Sequence, residues 1–346
     1  QTLLFRSNQF SWDAFYDVAQ QRGVLGEKLQ YDTFSVTDGV LSQKYDEVVV
    51  DDKFMNVTRS DIIGPGQLAN IVWRNAKLLS AYDHDTQSNP HTPAKTIFAY
   101  GDPGCGKTFE AHATLRTFGQ YCRNAGVPAW IFTHSVTDYA SHYQNKTANE
   151  LAALGQRIKE FPGLVIMYVA DADTIFQSRA DPNISAEEQK TTGVYLKFFD
   201  GTMIPKTGKF MAVMDANYIE SIDDATRSRV FDEIVHMQRW DQADHFAHYA
   251  RQLITRGKDH VPVSDDEWNQ IGVYILDSGL SNRQIGHVLG HITGGYDIPD
   301  DMIGAPIEQH TQYRADHLSG ITFDFIMDKF KTYQATQVEM EDASRR

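Results

Sequence analysis

The sequence is poor in cysteine, in long apolar runs and in positive charge. Its 346 residues include two cysteines, which give no disulfide framework and fit a reducing compartment. No apolar run approaches the ~20 residues of a membrane-spanning helix. No signal peptide is recognisable, so we expect a cytoplasmic protein with no membrane partner. Lys and Arg number 32 against 46 Asp and Glu, a net charge of −14, which argues against nucleic acid as the default partner.

The remaining composition is that of a globular protein with a substantial core. Hydrophobic residues make up 41% and charged residues 23% of the chain, as in soluble folded domains. The length allows one large domain or two ordinary ones, each with enough apolar surface to bury.

The clearest motif lies at residues 101–108. An apolar run over 96–100 predicts a short buried strand, and residues 109–118 predict a helix. Between them the sequence fits G-x-x-x-x-G-K-[ST], the phosphate-binding loop. The candidate nucleotide-binding residues of this loop, with the first residue after it, are Gly101, Asp102, Pro103, Gly104, Cys105, Gly106, Lys107, Thr108 and Phe109.

The residue types of this loop suit a phosphate and a metal ion. Its glycines let backbone N–H groups turn inward around phosphate oxygens, and the helix N-terminus adds its positive dipole. We expect Lys107 to reach the β- and γ-phosphates and the Thr108 hydroxyl to ligate Mg²⁺. Cys105 is expected to fill space, with a redox effect on nucleotide binding as the alternative.

Three later apolar runs, 128–132, 164–169 and 209–214, predict further strands. Polar side chains follow the last two of them. Asp171 and Asp173 come after the second run, and Asn217 comes after the third. In parallel α/β sheets, ligand chemistry gathers at the carboxyl ends of strands. We therefore expect one carboxylate to hold Mg²⁺ or its waters, a second to orient the attacking water, and Asn217 to sense the γ-phosphate.

Three arginines further along the chain are candidates for phosphate contacts. Arg227 and Arg229 lie in a short segment after the last of these strands; an arginine supplied across a subunit interface can neutralise charge during phosphoryl transfer. From spacing alone, a surface salt bridge is the favoured alternative. From about residue 240 the sequence predicts helices. Ser281 is a suitable N-cap, so Arg283 lies in a first turn, where a cation opposes the helix dipole. This local cost favours a phosphate-facing role.

With these motifs in this order, the chain resembles the AAA+ ATPases, specifically the AAA family of ring-forming motors. Residues 61–64 resemble the segment that leads into the family's domain, and the phosphate loop corresponds to Walker A. Residues 165–173 resemble Walker B, Asn217 falls at sensor 1, the arginine pair falls at the arginine fingers, and residues 281–283 open the sensor 2 helix.

The resemblance implies an architecture of several parts. It predicts a P-loop NTPase α/β domain, with a parallel sheet and helices on both faces, followed by a small all-helical lid. The predicted parts are an N-terminal α+β module or extension (1–60), the α/β nucleotide-binding domain (61–239), the helical lid (240–295) and a C-terminal helical extension (296–346).

The resemblance also implies an activity. It predicts an ATP- and Mg²⁺-dependent, chaperone-like ATPase that remodels or unfolds a protein client as a homo-oligomeric ring, a hexamer by family. Tyr143 falls where pore loop 1 carries an aromatic residue that grips the client; a half-buried loop tyrosine is the alternative. Two other functions stay open: a nucleic-acid motor of the clamp-loader, initiator or helicase type, and an ATP-gated assembly scaffold with little hydrolysis.

The Walker B region departs from the family's pattern. If Asp171 aligns with the catalytic glutamate, Ala170 stands at the Mg²⁺-orienting aspartate. If Asp171 is that aspartate and pairs with Thr108 as a metal ligand, Ala172 replaces the glutamate and Asp173 is a displaced stand-in. Rubisco activase is similar at this point. Either alignment predicts slow hydrolysis, since one mispositioned catalytic group costs on the order of 10²–10³ in rate.

Overall fold

The structure is a computed structural model in which a large parallel sheet is followed by a helical region. It describes residues 36–37, 40–41, 48–135, 146–176, 186–220, 222, 224–255 and 260–344. Tyr143 and most of the predicted N-terminal module lie outside the described residues. The described strands are β1 (Val36–Thr37), β2 (Val40–Leu41), β3 (Val48–Val50), β4 (Thr96–Tyr100), β5 (Ala129–His134), β6 (Leu164–Val169), β7 (Phe210–Ala216) and β8 (Glu233–His236).

Six of these strands form one sheet. Its order is β3-β5-β6-β7-β4-β8, and all neighbouring pairs are parallel; β1 and β2 form a separate antiparallel pair. Because β4 lies between β7 and β8, the loop after β4 is next to the segment after β7. The carboxyl ends of β4, β6 and β7 therefore meet at one edge, where the candidate site lies.

Both faces of the sheet are buried, which explains why its strands are apolar throughout. Alternate residues of a strand point to opposite faces: Val165, Met167 and Val169 belong to one core cluster, and Ile166 and Tyr168 belong to the other. A continuous apolar run is typical of parallel strands covered on both sides. The predicted α/β fold with a parallel sheet and helices on both faces is confirmed.

The helices account for both covering layers and for the region that follows. They are α1 (Gln67–Leu79), α2 (Lys107–Ala125), α3 (Lys146–Glu160), α4 (Ala186–Phe199), α5 (Asp224–Val230), α6 (Ala243–Thr255), α7 (Asp265–Ser278), α8 (Asn282–Gly294), α9 (Ile307–Ser319) and α10 (Phe323–Ser344). Residues of α1 and α2 belong to one core cluster of the sheet, and residues of α3 and α4 to the other. Among the described residues, no helix is both long and apolar enough to cross a membrane.

Two packing observations concern the ends of the predicted α/β domain and helical lid. Strand β3 pairs with β5, so the sheet includes residues before 61. At the other end, Ile326 and Phe330 of α10 are fully buried in the same cluster as Ile275 of α7 and Val288 of α8. The helical core therefore continues past residue 295 into the predicted C-terminal extension.

Candidate nucleotide-binding site

A cavity of about 590 Å³ lies between the edge of the sheet and the helical region. This volume is within the range of small-ligand sites, which are typically about 300–1,000 Å³. Its lining includes apolar residues, among them Ile62, Ile63 and Trp240, and the cationic side chains of Lys107 and Arg283. A lining that combines apolar and cationic groups suits a ligand with an aromatic base and phosphates.

The backbone of the 101–108 loop depends on glycine. Gly101 has φ +151° and a Cβ there would lie 2.0 Å from the Met237 carbonyl oxygen, so no side chain fits. Gly106 has φ 102° and is the N-cap residue of α2. Glycine has no side chain that could bond the first N–H groups of α2, which remain for an anionic ligand.

Lys107 links the phosphate loop to the end of β7. Its Nζ donates to the carbonyl oxygens of Gly101 at 2.6 Å and Asp102 at 3.1 Å, and to Asn217 Oδ1 at 3.1 Å. The structure thus brings together the cation and the amide that the sequence assigns to phosphate binding and γ-phosphate sensing.

Asp215 is a carboxylate of the site to which the sequence analysis gave no role. The Thr108 hydroxyl donates to Asp215 Oδ2 at 2.8 Å, the Tyr168 hydroxyl donates to the same oxygen at 2.5 Å, and the Asp171 N–H donates to Oδ1 at 3.0 Å. Burial and the charge of Asp215 raise the pKa of Tyr168 far above its usual value, so this phenol keeps its proton. A direct hydrogen bond thus joins Thr108 to Asp215, and Asp171 enters the same network through its backbone N–H.

Asp171 and Asp173 have different surroundings. Asp171 is exposed, lines the cavity and has a left-handed backbone with φ 49°. Removal from water and the charges of Asp215 and Asp173 raise the pKa of Asp171, while Lys107 acts in the opposite direction. Asp173 Oδ2 instead accepts a hydrogen bond from the Asn217 N–H at 3.2 Å. Asp171 therefore offers its carboxylate to the cavity, whereas Asp173 braces the segment after β7.

Arg283 reaches the cavity from the helical region. Ser281 caps α8 as predicted: its Oγ accepts from the Gln284 N–H at 3.3 Å, and Gln284 Oε1 accepts from the Ser281 N–H at 2.9 Å. A Cβ at Gly104 would lie 3.1 Å from Arg283 Cβ and 3.2 Å from Ser281 Cβ. The start of α8 is thus in contact with the phosphate loop, and a ligand there would touch both regions.

The arginine pair lies away from this cavity. Arg229 forms an ion pair with Asp200 at 2.5 Å, and the Asp200 side chain is nearly buried. Neither Arg227 nor Arg229 is among the residues that line the cavity of their own chain. The salt bridge that spacing favoured is therefore observed for Arg229.

The donor set fits a magnesium ion held jointly with phosphates. No group of three or more His, Cys, Asp or Glu side chains in the described part of the chain could hold a metal alone. Mg²⁺ normally uses one or two carboxylates, several waters and substrate phosphates. The Thr108 hydroxyl with one of the cavity-lining carboxylates, Asp215 or Asp171, provides that kind of set.

The fold and the cavity are those of a P-loop nucleotide-binding protein, and comparison with known proteins shows which family this region matches. Residues 97–239 match the model for AAA, the ATPase family associated with various cellular activities. The chain thus contains an AAA ATPase domain, which spans these residues.

Two relatives illustrate the similarity. A Corynebacterium efficiens protein named "AAA ATPase forming ring-shaped complexes" is 27% identical over 169 residues, which are 47% of this chain and 32% of that protein. The match thus spans about a third of the curated relative. The crystal structure of the FIGL-1 AAA domain in complex with ADP has a TM-score of 0.57 at 16% identity, covering 85% of this chain and 93% of that chain. That likeness supports the fold.

Proposed function

We propose that this chain binds ATP with Mg²⁺ in the cavity, hydrolyses it, and uses the cycle to remodel or unfold a protein client as part of a ring. The observation that carries the proposal is the contact between the phosphate loop and the start of α8 at Gly104. Because one ligand would touch both regions, loss of its γ-phosphate would change how they pack, which is how a nucleotide drives a conformational cycle.

Each side chain of the cavity has a role in this proposal. Lys107 and the loop N–H groups bind the phosphates, and Thr108 helps to hold Mg²⁺, which neutralises charge on the phosphate oxygens when bound. Asp171, the exposed carboxylate, orients the attacking water. Asn217 contacts the γ-phosphate, and Arg283 transmits its presence to α8. The raised pKa of Asp171 suits its role in orienting water, because a general base works best when its pKa lies nearer to neutral pH.

The arginine pair is assigned to the neighbouring subunit's nucleotide. Support comes from the absence of Arg227 and Arg229 among the cavity-lining residues of their own chain and from a relative named for ring-shaped complexes. An arginine of this kind is worth about 10³–10⁵ in turnover. The proposed assembly is a homo-hexamer.

A protein is the proposed client, contacted by Tyr143 in the ring channel and by the N-terminal residues 1–60. The charge supports this choice over nucleic acid, since a chain with a net charge of −14 repels a polyphosphate backbone.

An ATP-gated scaffold is the second candidate, and a specific observation favours it. Ala170 follows the last residue of β6, where one alignment expects the Mg²⁺-orienting acid. If no other group replaces that acid, ATP would still bind and drive assembly, but turnover would be very slow.

Steady-state ATP hydrolysis with sedimentation of the same samples separates the two candidates. The motor predicts turnover that Lys107→Ala removes, and ATP-dependent assembly of the wild type. Turnover equal to that of Lys107→Ala, with assembly retained, would establish the scaffold and contradict the motor.

A mixing experiment tests the trans role of the arginines. Subunits carrying Lys107→Ala lack a working pocket, and subunits carrying Arg227→Ala or Arg229→Ala lack a finger. Mixed rings combine an intact pocket with an intact neighbouring arginine, so we expect turnover to reappear for the arginine that acts as the finger. Arg251→Ala is the control, because this exposed arginine pairs with Asp265 in the helical region. If neither arginine variant regains activity on mixing, the trans role is wrong.

A further inference from the structure

The end of β6 lacks an acidic side chain, but the neighbouring strand has one at the same level. The parallel register pairs Val169 of β6 with Met214 of β7. One residue further along each strand, Ala170 therefore stands beside Asp215. Ala170 is exposed, whereas Asp215 is only 3% exposed and is the acidic member of an otherwise apolar strand.

The Asp215 carboxylate is held in place by three donors from three elements. Thr108 comes from the first turn of α2, Tyr168 from β6, and the Asp171 N–H from the turn after β6. Asp215 also lines the cavity. A buried charge of this kind costs stability unless it is well bonded, and this one is bonded directly to the hydroxyl that P-loop proteins use for Mg²⁺.

The other two carboxylates are less suited to holding the ion. Asp173 accepts a hydrogen bond from the Asn217 N–H and is not among the cavity-lining residues. Asp171 is exposed, and it meets Asp215 through its backbone N–H. Neither bonds to Thr108 among the contacts of the described residues.

We propose that Asp215, on β7, supplies the carboxylate that holds Mg²⁺ or its water shell together with Thr108. In this assignment the metal carboxylate comes from β7, on the strand beside Ala170, and Asp171 orients the attacking water. This inference rests on the proposed ATP binding. It also argues against the scaffold candidate, because the site then has one carboxylate for the metal and another to orient water.

Metal affinity of the nucleotide complex tests this assignment without using turnover. The probe is Mn²⁺ in place of Mg²⁺, titrated into the protein with ADP and followed by electron paramagnetic resonance. ADP affinity in EDTA reports whether each variant keeps its pocket. For Asp215→Asn we expect ADP affinity in EDTA within about threefold of the wild type and Mn²⁺ affinity lower by about 10- to 100-fold or more, since even outer-shell partners are worth that much.

A matched variant and a rescue complete the test. Asp171→Asn should keep Mn²⁺ affinity within about threefold of the wild type while losing ATP turnover. Adding Ala170→Asp to Asp215→Asn returns an acid to the same level on β6, and we expect it to restore most of the Mn²⁺ affinity.

The opposite pattern would overturn the assignment. If Asp171→Asn removes Mn²⁺ affinity, Asp171 is the metal ligand; because its side chain is exposed, this result does not depend on how well the Asp215 variant folds. If Asp215→Asn binds Mn²⁺ as tightly as the wild type, the assignment of Asp215 is also wrong. A wild type that binds no ADP, in EDTA or with Mn²⁺, would instead contradict the proposed function on which the inference rests.

Discussion

Arg239 ties the segment after the sheet to the helical region. Its guanidinium donates to the carbonyl oxygens of Ile275 at 2.7 Å, Leu280 at 2.9 Å and Leu276 at 3.1 Å, and it lies 4.6 Å from the centroid of the Phe246 ring. Two of the carbonyls belong to the last turn of α7, where helix carbonyls need partners and a cation is favoured by the dipole.

We expect Arg239→Met to lower the free energy of unfolding by about 2–4 kcal/mol. Hydrogen bonds from a charged donor contribute about 1.5–3 kcal/mol each, but carbonyls at a helix end regain part of this from water. The Met side chain keeps most of the apolar contact with Phe246, so the loss reports mainly the three hydrogen bonds. Arg239→Lys keeps the charge without the planar fork, so its free energy of unfolding should lie between those of the wild type and Arg239→Met.

Arg251→Met is the matched control in the same region. Arg251 pairs with Asp265 at 2.8 Å, with the two side chains 54% and 84% exposed, and exposed pairs of this kind contribute about 0–1 kcal/mol. Urea unfolding followed by circular dichroism measures both variants. If Arg239→Met costs no more than Arg251→Met, the three carbonyl contacts do not hold the helical region in the way described.

Two further predictions concern the phosphate loop and a buried lysine. Gly104 and Gly106 both have positive φ, but a Cβ would contact Ser281 and Arg283 only at Gly104. In urea unfolding, Gly106→Ala should lower the free energy of unfolding by about 1–2 kcal/mol, and Gly104→Ala by about 1–3 kcal/mol more. Equal losses in the two variants would contradict the contact with α8. Burial lowers the pKa of Lys95 to about 8, from 10.5, so the folded state holds fewer protons between these values and stability rises with pH there. From about pH 7.5 to about pH 10, the wild type should gain about 2 kcal/mol of unfolding free energy relative to Lys95→Met, and a constant difference would contradict this.

Short stretches of sequence were sufficient to predict those elements whose structure depends on neighbouring residues in the chain. The strand over 164–169 is apolar at every position because both faces are covered, and the phosphate loop is recognisable because its backbone needs glycine. Ser281 was predicted as an N-cap from its residue type alone, and the structure adds Gln284, three residues later, as its capping-box partner.

Other parts depend on contacts between distant residues. Strand β3 has three residues and takes its place in the sheet from its pairing with β5, which no short window reveals. The proposed role of Asp215 depends on the register of β6 and β7 and on its hydrogen bond with Thr108, 107 residues earlier in the chain. The signal that could have found it is a charged residue inside an apolar strand, since a buried carboxylate is kept only where it is bonded or used.

The most direct test of the central claim is hydrogen exchange of the wild type with and without ATP and Mg²⁺. The account predicts slower exchange at two separated places: the phosphate loop from Gly104 to Thr108, and the first turn of α8 around Arg283. Lys107→Ala should show neither change. Slower exchange at the loop with none at α8 would contradict a nucleotide that joins the sheet to the helical region. No change at either place would contradict nucleotide binding in this cavity.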